Sequence, residues 1–333
     1  MLTKQENLNW KAQIEGLDYQ SDVNRVDAVV EQICSREAAL GFFTFARQLI
    51  LRLRHAGKHS TADTYTTVIN SFKHFYCRSE LRFSQLDTLL AAEYEAWLKG
   101  RGVCKNTISF YMRNLRAIYN RAVDAQLVTQ RSPFKHVYTG IDKTVKRAVP
   151  VQTIRQIREL DLSGQPLMDY ARDLFMFSFY TRGMSFIDMA FLRKSDLRHG
   201  VLSYCRQKTG QRLVVKWECS MQQIVDKYAT VDTPYLLPII RNVHADERRQ
   251  YKSAAHLVNR KLKMLGNQLG LNVALTTYVA RHTWASLALS THVPISTISE
   301  AMGHDSEATT RIYLAQLDTS AVDQANAAVL GLL

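Results

Sequence analysis

The sequence predicts a mainly α-helical protein of two domains, with one small β-sheet confined to the second. Three observations carry this prediction. A chain of 333 residues is long for a single hydrophobic core. Apolar residues recur at three- and four-residue spacing along most of it, and only 14 Gly and 6 Pro interrupt them. One stretch alone, Val201 to Trp217, alternates as paired strands do about a turn.

Residues 1–35 are polar and weakly patterned, and read as an arm or a short helix. A helical domain is expected over residues 36–137. Its first helix follows Gly41, with Phe42, Phe43, Phe45, Ala46, Leu49, Ile50 and Leu53 on one face. Ser60 or Thr61 caps a second helix, which turns Tyr65, Val68, Ile69, Phe72 and Tyr76 inward. A third runs from Leu86 to Leu98 and stops at Gly100. Asn106 caps a fourth, where Ile108, Tyr111, Leu115, Ile118 and Ala122 face the core while Arg113 and Arg116 share the outer face.

Residues 138–150 carry a basic run and end on Pro150, and read as a linker. The second domain is expected over 151–319. It opens with a helix over Val151 to Leu160, then one from Met168 to Tyr180 that is apolar on nearly every side and so belongs in a core. Ser185 and Asp188 have capping-box spacing and start a helix through Leu192. Strands Val201 to Arg206 and Arg212 to Trp217 flank a turn at Lys208-Thr209-Gly210. Helices return at Met221–Tyr228, His256–Leu269, His282–Leu289, Ile295–Met302 and Thr309–Leu314, and an Ala/Leu-rich tail occupies 320–333. The tail is expected to hook onto a second copy of the chain or to pack back onto its own domain.

No apolar run approaches the ~20 residues of a membrane span, and the start of the chain has no signal-peptide pattern, so a cytoplasmic location is expected. The five cysteines form no CxxC pair, which argues against a zinc site and a disulfide framework. The net charge is +13 and unevenly spread. Between Arg101 and Arg147 stand ten Lys/Arg, among them Lys105, Arg113, Arg116, Arg121, Lys143, Lys146 and Arg147, against only Asp124 and Asp142. With no strongly apolar face beside it, such density points to nucleic acid rather than a membrane.

Near the end, Met302-Gly303-His304 precedes Tyr313 by nine residues. Alone this stretch has two readings: a half-buried aromatic with a histidine capping a loop, or a phenol nucleophile assisted by an imidazole. Lys208 at the hairpin tip and Arg281 in Tyr278-Val-Ala-Arg-His-Thr283 complete an ordered set. That set, with Ala280-Arg-His-Thr-Trp-Ala285 and the Gly-His to Tyr spacing, resembles the tyrosine recombinase (phage integrase) family over residues 38–318. The phrase Ser178-Phe-Tyr-Thr-Arg-Gly-Met-Ser-Phe-Ile-Asp188 looks like the variant of this family found in gut Bacteroidetes.

The resemblance implies a helical core-binding domain, a basic linker and an α/β catalytic domain. It implies no cofactor and no metal. Tyr313 would attack a DNA phosphate to give a 3′-phosphotyrosyl bond and a free 5′-hydroxyl, so that resealing needs no ATP. Arg281 would hold the non-bridging oxygens, Lys208 would protonate the leaving oxygen, and His304 would bond the phosphate or assist the phenol. Partners would be double-stranded DNA with inverted-repeat core sites and three further copies of the chain, on the nucleoid, for inversion or for integration and excision.

Two positions depart from the family pattern. Tyr278 stands where a basic residue is common, and Ser185 stands where the first arginine is expected. The nearest guanidinium is Arg182, which the sequence nominates for the vacant role. A type IB topoisomerase and a non-catalytic DNA-binding regulator are the rival readings.

Overall fold

The computed structural model describes residues 41–142, 148–314 and 330, with the backbone alone at 312 and 313. The expected arm, Lys143, Lys146, Arg147 and the body of the tail lie outside the described residues. The chain divides into two compact units, residues 1–143 and 144–333.

Among the described residues, four α-helices build the first unit: α1 (Phe42–His55), α2 (His59–Tyr76), α3 (Thr88–Gly100) and α4 (Lys105–Asp124). The seven residues that mark one face of α1 are all buried, and the Phe42 and Phe43 rings meet Phe72 edge-on, which in turn meets Tyr94 at a tilt. Glu80 caps the start of α1 from outside the helix, accepting from the Phe43 and Thr44 amides at 2.7 and 3.0 Å. Burial pushes its carboxyl upward, but these bonds and those from the Thr44 hydroxyl and the Leu81 amide hold it below the ordinary value overall.

The caps differ from expectation. Helix α2 begins at His59, with Lys58 as its N-cap and no side-chain cap bond. Helix α4 begins at Lys105, with Cys104 as its N-cap. Asn106 closes a longer loop instead, donating to the Asp142 carbonyl at 2.9 Å and accepting its amide at 2.7 Å. A side-chain amide serves either end equally well, so spacing alone could not separate the two uses.

The second unit is arranged about α6 (Pro166–Tyr180), against which α5 (Val151–Glu159), α8 (Cys219–Lys227), α9 (Glu247–Gln268) and α10 (Thr277–Ser290) all pack. Nine of its fifteen residues are buried, as its apolar run requires. Asp173 is the charged exception, and Lys227 at 2.7 Å and the Tyr228 hydroxyl at 2.8 Å neutralise it. The sheet has three antiparallel strands in the order β1 (Leu197–Arg198), β2 (Val201–Cys205) and β3 (Arg212–Lys216), with Tyr204 opposite Leu213. Its inward face carries Leu202 and Tyr204.

The short strand β1 and the early start of α9 were not expected. Asp246 caps α9 by accepting the Arg249 amide at 3.0 Å, which extends the helix nine residues ahead of His256. Finally α7 (Phe186–Ala190), α11 (Ile295–Met302) and α12 (Glu307–Leu314) complete the unit. A small cluster of Ala285, Ile298, Met302 and Leu314 ties α10, α11 and α12 together, and these helices carry most of the motif residues. Among the described residues, no helix is long and apolar enough to cross a membrane.

Candidate active site

Arg281 lies on α10 and is 6% exposed. Its Nη1 donates to the Gly183 carbonyl at 2.8 Å and its Nη2 to the Met302 carbonyl at 2.7 Å. Gly183 has φ +75°, and a Cβ there would meet the Arg281 Cα at 2.7 Å. Only glycine permits both the turn and the close approach. The turn therefore aims Arg281.

Gly303 ends α11 in the left-handed conformation at φ +63°, which releases the chain to place His304 beside Arg281. The Arg281 Nη2 lies 3.1 Å from His304 Nε2, and the Thr310 hydroxyl lies 2.7 Å from His304 Nδ1. Burial and the charges of Arg281, Arg206 and Lys208 drive the imidazole pKa down to about 4, so the ring is neutral at physiological pH. A guanidinium cannot accept a hydrogen bond, so Nη2 donates and Nε2 holds the lone pair.

Arg206 was not among the sequence candidates, yet it shares this site. It is 8% exposed, and its Nη1 donates to the Gly303 carbonyl, next along the chain from the carbonyl that holds Arg281. Its Nε is 3.8 Å from the Asp188 carboxylate and has no hydrogen-bond partner among the described residues. Ser185 caps α7 and donates at 2.6 Å to Asp188 Oδ2, the oxygen that Arg206 faces, while Asp188 Oδ1 accepts the Gln207 amide at 2.8 Å. Serine thus orients the acid that orients the arginine. The signal was legible: Leu202, Tyr204 and Arg206 alternate on the inward face, and an inward arginine demands a partner.

Arg182 does not take the geometry expected of it. It has φ +61°, is half-buried, and spends Nη1 on the Val214 carbonyl of β3 at 3.2 Å. Its charge still reaches the site: burial raises the Tyr204 hydroxyl above its ordinary value with help from Asp188, while Arg281, Arg206 and Arg182 oppose the rise. Lys208 is exposed in the hairpin turn, close enough for its charge to depress His304. Tyr278 is 55% exposed and stands edge-on to the buried His282 ring, with centroids 4.5 Å apart. Tyr313 lies on α12, and its side chain falls outside the described residues.

On the first unit, Lys105, Arg113 and Arg116 are exposed on α4. At 100° per residue the three fall within about 80° of one another, whereas Arg121 lies about 160° round from Lys105. Arg121 instead stands over the Tyr65 ring at 5.9 Å.

Comparison with known proteins agrees with this arrangement. A family model described as phage integrase SAM-like domain matches residues 41–139, and one described as phage integrase family matches residues 165–320. The tyrosine recombinase XerC of Leptospira interrogans is 22% identical over 270 residues, covering 79% of this chain and 85% of that protein. The tyrosine recombinase XerA of Pyrococcus furiosus is 24% identical over 230 residues, covering 67% and 74%. Among solved structures, a lambda integrase dimer bound to a core site aligns with TM-score 0.62 at 15% identity, covering 91% of this chain and 84% of that one. The Tn1549 transposon integrase in complex with transposon right-end DNA aligns at 0.60 and 15% identity, covering 88% and 99%. With both family models together spanning most of its length, the chain belongs to the phage integrase family.

Proposed function

We propose that this protein is a site-specific DNA recombinase that cuts and rejoins strands through a 3′-phosphotyrosyl intermediate. The observation that carries the reading is the pair of guanidiniums, Arg281 and Arg206, latched to the adjacent carbonyls of Met302 and Gly303 beside a neutral His304. Two buried guanidiniums held on adjacent carbonyls, with Arg206 Nε lacking a hydrogen-bond partner among the described residues, favour a dispersed negative charge. A phosphodiester passing through a pentavalent transition state supplies one.

The chemistry follows from these groups. Arg281 and Arg206 bind the two non-bridging oxygens. As the Tyr313 oxygen bonds to phosphorus, the bond to the 5′-oxygen breaks and Lys208 gives that oxygen its proton. The phenol proton passes to His304 Nε2 once the bound phosphate draws the Arg281 Nη2 donor off that lone pair. Burial first, and then the charges of Arg281, Arg206 and Lys208, make the imidazole a weak base in the free protein. A bound phosphate offsets those charges and raises its basicity when it is needed. Arg182 adds long-range positive charge, and Tyr278 offers an exposed hydroxyl to the DNA backbone.

DNA is the macromolecular partner, gripped in the first unit through Lys105, Arg113 and Arg116 and by the basic linker. Lambda integrase has been solved as a dimer at a core site and as a tetramer at a Holliday junction. By analogy this chain is taken to act as a tetramer on paired inverted-repeat sites. Replacing Arg113 and Arg116 with alanine should weaken binding on all sequences alike. It should also flatten the plot of log K against log salt by about 0.9 per lost contact, measured by fluorescence anisotropy. An unchanged slope would place the footprint elsewhere.

The recombinase reading is tested with a core site selected from random duplexes and cloned once or twice into a supercoiled plasmid. Exchange of flanking segments only in the two-site plasmid supports it. Relaxation of both plasmids without exchange would favour a type IB topoisomerase, and binding without cleavage would favour a regulator.

A further inference from the structure

We infer that Thr310 is a positioning residue that sets the tautomer of His304 and ties the imidazole to the helix carrying Tyr313. The inference deepens the reading just given, since it concerns how that site is assembled. Thr310 is fully buried, and its hydroxyl lies 2.7 Å from His304 Nδ1. A neutral imidazole has a single N–H, and Nε2 is already the acceptor from Arg281. The proton therefore resides on Nδ1 and is donated to the Thr310 oxygen.

Two consequences follow from the position of that oxygen. Thr310 stands on α12 three residues before Tyr313, on the same side of the helix, so one hydrogen bond joins the loop that follows α11 to the nucleophile's own turn. The loop end is itself fixed, because the His304 amide donates to the Ser299 carbonyl at 3.0 Å. On α12 the other described buried side chain is Leu314, packed in the cluster with Ala285, Ile298 and Met302. Apolar packing seats the helix but tolerates rotation, whereas the Thr310 bond fixes which way it faces. Without the acceptor, a proton on Nδ1 is buried with no partner from Thr310 and a proton on Nε2 meets the Arg281 Nη2 donor head-on, so either tautomer is penalised. The ring would have to turn away from the site.

The test compares Thr310→Val, which keeps the shape and loses the hydroxyl, with Thr310→Ser, which keeps it. In ring-15N-labelled protein without DNA, wild type and Thr310→Ser should show His304 protonated at Nδ1, and Thr310→Val should show a mixed or Nε2-protonated ring. In single-turnover cleavage of a nicked duplex at saturating DNA, Thr310→Val should be slower by about tenfold and Thr310→Ser by about twofold or less. DNA affinity should be the same in all three. A Thr310→Val protein that keeps both the Nδ1 tautomer and the rate would overturn the inference. So would a Thr310→Ser protein that falls as far as Thr310→Val, since the methyl and not the hydroxyl would then matter. The ring signals are read without catalysis, so a wild type that cleaves nothing would defeat the proposed function while leaving this assignment to be judged on its own spectrum.

Discussion

Arg206→Ala is expected to lower the rate of strand cleavage at saturating DNA by about 10²–10³, the usual loss for one preorganised donor to a developing anion. The expectation rests on geometry that no other spare cation of the site shares. Arg206 is buried, latched to the Gly303 carbonyl and flanked by Asp188, and its Nε has no hydrogen-bond partner among the described residues. Ser185→Ala should cost much less, because it removes a cap and one bond to Asp188 and leaves the guanidinium in place. Arg182→Ala should also cost less, since that side chain is half-exposed and engaged with the Val214 carbonyl. Arg206→Lys keeps the charge, loses the fork and should fall between. A larger loss from Arg182→Ala than from Arg206→Ala would return the first-arginine role to Arg182.

Gly183→Ala should be as damaging although it removes no functional group. Its φ of +75° strains any side chain, and the added methyl would sit 2.7 Å from the Arg281 Cα, where only backbone movement relieves it. The same residue's carbonyl holds Arg281 Nη1, so relief of the clash displaces the guanidinium. Misplacement of a catalytic group by about 1 Å can cost about 10² in rate. Gly210→Ala is the control: its φ is +72°, but an added Cβ meets nothing within 4 Å. Thermal melting and single-turnover cleavage of the two variants separate backbone strain from the clash. Both should lose some stability, and Gly183→Ala alone should lose cleavage. Equal activity in the two would mean that the turn does not set Arg281.

Much of this architecture was legible because single elements impose it. The run from Met168 to Tyr180 is apolar on nearly every side, which puts it in a core, and nine of its helix's residues are buried. The one-sided pattern of α1 likewise named all seven of its buried residues. The order Lys208, Arg281, His304, Tyr313 pointed to the proposed site through its resemblance to the tyrosine recombinase family. What escaped depends on distant partners. Glu80 caps a helix by accepting from Phe43, 37 residues earlier in the chain, and Asn106 bonds a backbone 36 residues later. Arg206 owes its role to Asp188 and Gly303, and Thr310 owes its own to His304. Local spacing carries no record of such pairings. The strand alternation did carry one clue, an arginine in the inward series after Leu202 and Tyr204.

The account stands most directly on Tyr313 as nucleophile. A nicked duplex that loses a short fragment after cleavage traps the covalent complex, which is read on a denaturing gel. Digestion and mass spectrometry then locate the attached nucleotide. The account predicts a 3′-phosphate on the peptide that contains Tyr313, a free 5′-hydroxyl on the released fragment, and no complex with Tyr313→Phe. A complex that persists in Tyr313→Phe, or a nucleotide found on another residue, would contradict it.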